Sequence, residues 1–117
     1  MFIRIKNLRL RTIIGIEEWE RTNKQDLIIN AVIEFDGEKA VESDDISDTV
    51  NYKKITKRII ELVEASDYFL LEKLCGRVLQ SIMEDKNVVS ATVEIDKPGA
   101  LRFTDSVSVS TSARRDQ

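Results

Sequence analysis

Apolar residues recur at every second position near both ends of the chain and at every third or fourth position in its middle. These two periods constrain the fold more than any other feature. A two-residue repeat buries one face of a strand, and a repeat near 3.6 buries one stripe of a helix. Ile3 and Ile5 alternate with charged neighbours, then Leu8 and Leu10 continue on the other parity. That slip predicts a first strand from Phe2 to Arg11 with a bulge at Lys6-Asn7, continuing through Gly15-Ile16. A polar loop follows over residues 17–26. Leu27, Ile29, Ala31, Ile33 and Phe35 then share one face of a second strand over residues 27–36, and the two strands read as a hairpin.

The period then changes. A short helical turn fits residues 37–41. Ile55, Ile59, Leu62 and Val63 predict a helix running to about Ser66, with Asn51 or Thr49 as its cap. Leu71, Leu74, Val78, Ile82 and Met83 predict another over residues 70–85, with Cys75 as a small buried filler beside the stripe. Alternation returns in Val89, Ala91, Val93 and Ile95, then in Phe103, Val107, Val109 and Thr111, with a turn at Lys97-Pro98-Gly99-Ala100 between them. The order is β-β-α-α-β-β, an α+β arrangement in which the apolar strand faces pack under the helices. The opposite face of the late strands is a row of Ser and Thr. It suits either the wet lumen of a barrel built from several subunits or plain solvent exposure.

Length and composition narrow the function. The 117 residues fit a single domain spanning 1–117. There is no histidine and one cysteine, which removes imidazole catalysis, histidine or thiolate metal sites and an internal disulfide. The net charge of −3 offers no broad basic field for a nucleic acid. No apolar run is long enough for a membrane helix. The start of the chain lacks a signal-peptide core, and together with the lone thiol this leads us to expect a cytoplasmic protein.

Four places could carry chemistry. Gly15-Ile16-Glu17-Glu18-Trp19-Glu20 leaves a strand through a glycine into an acidic loop; its simpler role is a solvated loop anchored by Trp19. Tyr52 stands at a helix start with its hydroxyl pointing away from the core, and packing alone would explain it. Asp44, Asp45 and Asp48 lack the spacing of a calcium loop and read as turn and capping residues. Glu72 lies in the first turn of a helix, where the dipole favours a carboxylate. It could also accept two hydrogen bonds from an amidine-like ligand edge. Lys97 ends a strand just before the only proline, either simply solvated or serving as an acid/base.

Taken together, the segments resemble the dihydroneopterin aldolase and dihydroneopterin triphosphate 2′-epimerase family. The resemblance runs through Ile3 to Thr12, Gly15-Ile16 with Glu20, Lys24-Gln25-Asp26, Asp45-Ile46 to Asn51-Tyr52, and Leu70-Leu71-Glu72-Lys73-Leu74. It ends with Glu94 to Arg102 and Asp105-Ser106-Val107-Ser108. The opening stretch, Gln25-Asp26 and the final segments lean toward the epimerase branch. The resemblance implies a tunnelling fold (T-fold): a four-stranded antiparallel sheet with two helices on one face, sheets joining edge to edge into an oligomeric barrel. It also implies a homo-octamer with active sites at subunit contacts, a small pterin as substrate, and no metal or cofactor. By the same resemblance Glu72 and the backbone of Leu71 anchor the pterin ring. Lys97 transfers the proton and Tyr52 assists, from a different chain than Glu72 and Lys97. Glu20 positions substrate or Lys97, and Arg102 is a candidate for triphosphate contact. The implied reaction is retro-aldol cleavage of C1′–C2′, followed by re-addition or product release. The alternatives are a true aldolase of folate biosynthesis and a pterin-binding module without catalysis.

Overall fold

In a computed structural model that describes residues 1–116, the strands β1 (Phe2–Thr12), β2 (Gln25–Phe35), β3 (Val88–Pro98) and β4 (Ser106–Arg114) form one antiparallel sheet in that order. The helices are α1 (Glu38–Ser43), α2 (Tyr52–Glu64) and α3 (Leu71–Met83). Helix α3 packs on β3 and β4, α2 packs on β1, and the two helices touch each other. The expected α+β fold is present; α1 falls where a short helical turn is expected over residues 37–41, and two 3-10 turns, Glu18–Arg21 and Ile46–Asp48, are added.

The inward faces are those the periodicity selects. Leu27, Ile29, Ala31, Ile33 and Phe35 are buried on β2, Ile55, Ile59 and Val63 on α2, and Leu74, Val78 and Ile82 on α3. Burying each large aliphatic side chain contributes about 1.5–3 kcal/mol, so this sandwich of sheet and helices is the main stabilising layer. Cys75 is fully buried, and its thiol lies 3.5 Å from the carbonyl oxygen of Val93. Burial pushes that thiol's pKa up, which suits an inert filler. Asn51 is the residue that caps α2, its Oδ1 accepting from the N–H of Lys54 at 3.2 Å. Asp45 caps the second 3-10 turn through Ser47.

The bulge lies where the parity slips, between Ile5 and Leu8. Asn7 has φ 54°, and its N–H donates to Asn30 Oδ1 at 2.8 Å. Asparagine tolerates this left-handed geometry better than most residues. Other boundaries move. Strand β1 stops at Thr12, opposite Gln25, and does not continue to Ile16. Past that point the chain turns away through Gly15 at φ 121°, and the N–H of Gly15 goes to the carbonyl of Tyr68. Val88, rather than Val89, fills the inward position on β3, because the register shifts between Glu34 and Phe35. Strand β4 begins at Ser106, paired with Pro98, so Phe103 is not in it. Phe103 sits in the loop at φ 72° and is 99% exposed.

Chain direction sorts the connections into two ends. One end holds residues 13–24, 65–70 and 99–105, joined where Thr12 Oγ1 donates to the carbonyl of Ser66 at 2.8 Å. The other end holds residues 36–51 and 84–87. Ser108, Ser110 and Ser112 stand exposed on the sheet face away from the helices.

Candidate active site

The first end brings together residues far apart in sequence. Glu18–Arg21 forms a single 3-10 turn, which tucks Glu20 inward while leaving Glu17, Glu18 and Trp19 outside. Lys97 is the last inward-facing residue of β3, following Val93 and Ile95 on the same parity. Lys97 Nζ meets Glu20 Oε2 at 2.5 Å, with only 15% and 7% of the two side chains exposed. The sequence separation is 77 residues.

Glu20 is held on every side. Gln25 Nε2 donates to the same Oε2 at 2.8 Å and to the carbonyl of Ile14 at 2.7 Å. The N–H of Glu17 donates to Oε1 at 3.1 Å. Burial pushes the carboxyl pKa up, but the hydrogen bonds from Lys97, Gln25 and the Glu17 backbone and the charge of Lys97 outweigh it. The net result lies below the ordinary value of 4.5. Gly15 makes room for this carboxylate: a Cβ there would sit 2.2–2.3 Å from its atoms. The arrangement is a buried ion pair whose lysine is aimed by a fixed anion, a suitable geometry for moving a proton.

The pterin-anchoring candidates share this end. Leu71 and Glu72 open α3, Leu71 nearly buried and Glu72 exposed beside the free N–H groups of the first turn. Tyr52 does not join them. It is the first residue of α2, at the opposite end of the molecule, 55% exposed. The 13 residues of α2 span about 20 Å. With Thr56 and Ile60 it lines a shallow hollow on the outer side of α2. Trp19 is 57% exposed on the 3-10 turn. Arg102 lies in the exposed loop after β3, its guanidinium 5.4 Å from the ring centre of Phe103. Among the described residues no group of three or more His, Cys, Asp or Glu side chains is placed to hold a metal ion. Nor is any helix among them long and apolar enough to cross a membrane.

The residues alone gave Glu20 and Lys97 separately; the family resemblance linked them, and the contacts that hold Glu20 in place were missed. Gln25 had no role of its own there. Gly15 stood only as a turn. The available signal was the glycine followed by Glu17 and Glu20 at the spacing of a capping box.

A sequence model of the FolB family, dihydroneopterin aldolase, matches residues 3–112. The chain is 52% identical over 113 residues to dihydroneopterin triphosphate 2′-epimerase of Escherichia coli (strain K12), covering 97% of this chain and 94% of that protein. It is 30% identical over 105 residues to the dihydroneopterin aldolase of the same organism, covering 90% and 86%. Among solved structures, Escherichia coli dihydroneopterin aldolase in complex with neopterin superposes with a TM-score of 0.92 at 27% identity, covering 97% and 98%. The chain belongs to the dihydroneopterin aldolase family.

Proposed function

We propose that the chain is a dihydroneopterin triphosphate 2′-epimerase acting by retro-aldol chemistry at the Glu20–Lys97 end. The observation that carries the reading is that buried pair, at the same end of the molecule as the first turn of α3, in a chain 52% identical to a protein named as that epimerase. The pterin ring lies against α3, its 2-amino and N3 hydrogens donating to the Glu72 carboxylate, with the Leu71 backbone alongside. The 2′-hydroxyl gives up its proton, the C1′–C2′ bond breaks, and its electron pair passes into the dihydropterin ring. Turning the released aldehyde and re-adding it inverts C2′. Protonation at C1′ gives instead 6-hydroxymethyl-7,8-dihydropterin and the aldehyde. Lys97 moves the proton, with Glu20 fixing its direction. Tyr52 assists from a neighbouring copy, because its own chain holds it at the far end. The assembly is a homo-octamer with sites between subunits, located in the cytoplasm.

A second reading, a true aldolase of folate biosynthesis, is supported by the likeness to the aldolase solved with neopterin. Rates on 7,8-dihydroneopterin and its triphosphate, compared side by side in EDTA with chiral analysis of the product, separate the two. Faster inversion of the triphosphate supports the epimerase. Faster release of glycolaldehyde from the free compound supports the aldolase. If both compounds stay unchanged, neither enzyme reading survives. Lys97→Ala is expected to lose about 10²–10⁴-fold in turnover while still binding neopterin in a calorimeter.

A further inference from the structure

Arg21 follows Glu20 directly, and nothing in the proposed chemistry uses it. Its guanidinium reaches out of the 3-10 turn to three carbonyl oxygens. Nη1 donates to Gly15 at 2.9 Å and to Tyr68 at 3.1 Å, and Nη2 donates to Asp67 at 2.6 Å. The guanidinium carbon also lies 4.1 Å from the ring centre of Phe69. The N–H of Gly15 closes the same junction on Tyr68. Three acceptors and a stacking face together fit a planar five-donor cation and do not fit an ammonium.

The segments being joined matter. Gly15 and the 3-10 turn seat Glu20, and through it Lys97. Asp67, Tyr68 and Phe69 lead into Leu71 and Glu72 at the start of α3. Helix α3 is held independently by Leu74, Cys75 and Val78 in the core. The turn carrying Glu20 has fewer such ties, since Glu17, Glu18 and Trp19 are exposed.

We infer that Arg21 is a positioning residue that sets the distance between the proton-transferring pair and the pterin-anchoring turn. The inference depends on the functional reading above. Loss of Arg21 leaves the pterin anchor on α3 intact and lets the Glu20 turn drift from it. Turnover then suffers more than pterin binding, because misplacing a reacting group by about 1 Å costs up to about 100-fold.

The test measures kcat and KM on 7,8-dihydroneopterin triphosphate and Kd for neopterin, for wild type, Arg21→Ala and Arg21→Lys. The expected result for Arg21→Ala is a fall in kcat of about tenfold or more with neopterin Kd unchanged. Free guanidinium should restore part of kcat, and Arg21→Lys should not match wild type. Unchanged kcat in Arg21→Ala would overturn the inference. So would equal losses in kcat and neopterin affinity that follow thermal stability and ignore guanidinium. If Arg21→Ala does not fold, Arg21→Gln is judged by the same split, as its amide retains a donor for part of the junction. A wild-type protein that converts neither pterin defeats the functional reading itself. An active wild type with a fully active Arg21→Ala defeats only the role of Arg21.

Discussion

Gly15 has no side chain at the place where the Glu20 carboxylate lies. An alanine there meets both a φ of 121° and carboxylate atoms 2.2–2.3 Å away. Gly15→Ala is therefore expected to cost about 1–3 kcal/mol in chemical denaturation and to lower kcat by displacing Glu20 from Lys97. The titration of Glu20 gives a second expectation. Its folded pKa is lowered, so the stability it contributes is complete above the ordinary value of 4.5 and is lost as pH falls through the lowered value. Glu20→Gln should flatten that part of the acid-unfolding profile. An unaltered profile would mean that the carboxylate is not held as described. Lys97 was visible in the sequence as the residue before the only proline, and Glu20 as one carboxylate among three. Only the family resemblance linked them, because a pairing between β3 and the 3-10 turn across 77 residues leaves no local pattern in the sequence.

The elements were legible wherever burial imposed a period. Strand β2, helices α2 and α3 and the inward face of β3 follow their apolar residues because the core requires it. The bulge in β1 was legible because a one-residue slip exchanges faces. Loops and boundaries obey other forces. Phe103 shares parity with Val107, yet the pairing of Pro98 with Ser106 ends the ladder before reaching it. Strand β1 ends early because Gln25 and Tyr68 take the backbone groups of Ile14 and Gly15. Asn51 belongs at this scale too. Its side chain caps α2 and is remote from Lys97, so Asn51→Ala should cost about 1 kcal/mol in denaturation. Where Tyr52 is presented to a neighbouring copy, a frayed first turn should also lower kcat; stability lost with kcat unchanged would separate the cap from catalysis.

At the scale of the molecule, each chain carries Lys97, Glu20, Leu71 and Glu72 at one end and Tyr52 at the other. The Ser and Thr face and both outer sheet edges, on β1 and β4, are open in a lone chain. The family resemblance implies a shared lumen for them; the residues alone do not, since hydroxyl side chains suit water and a shared lumen equally. A reacting centre that needs both ends requires a second copy, and closed rings supply one for every site. The direct test mixes two variants, Lys97→Ala and Tyr52→Ala, each purified with low turnover on 7,8-dihydroneopterin triphosphate, and reassembles them together. Regained turnover in the mixture is the predicted result, because some contacts then join a native Tyr52 to a native Lys97. A mixed assembly, confirmed by mass, that turns over no faster than its parents would contradict a site shared between chains.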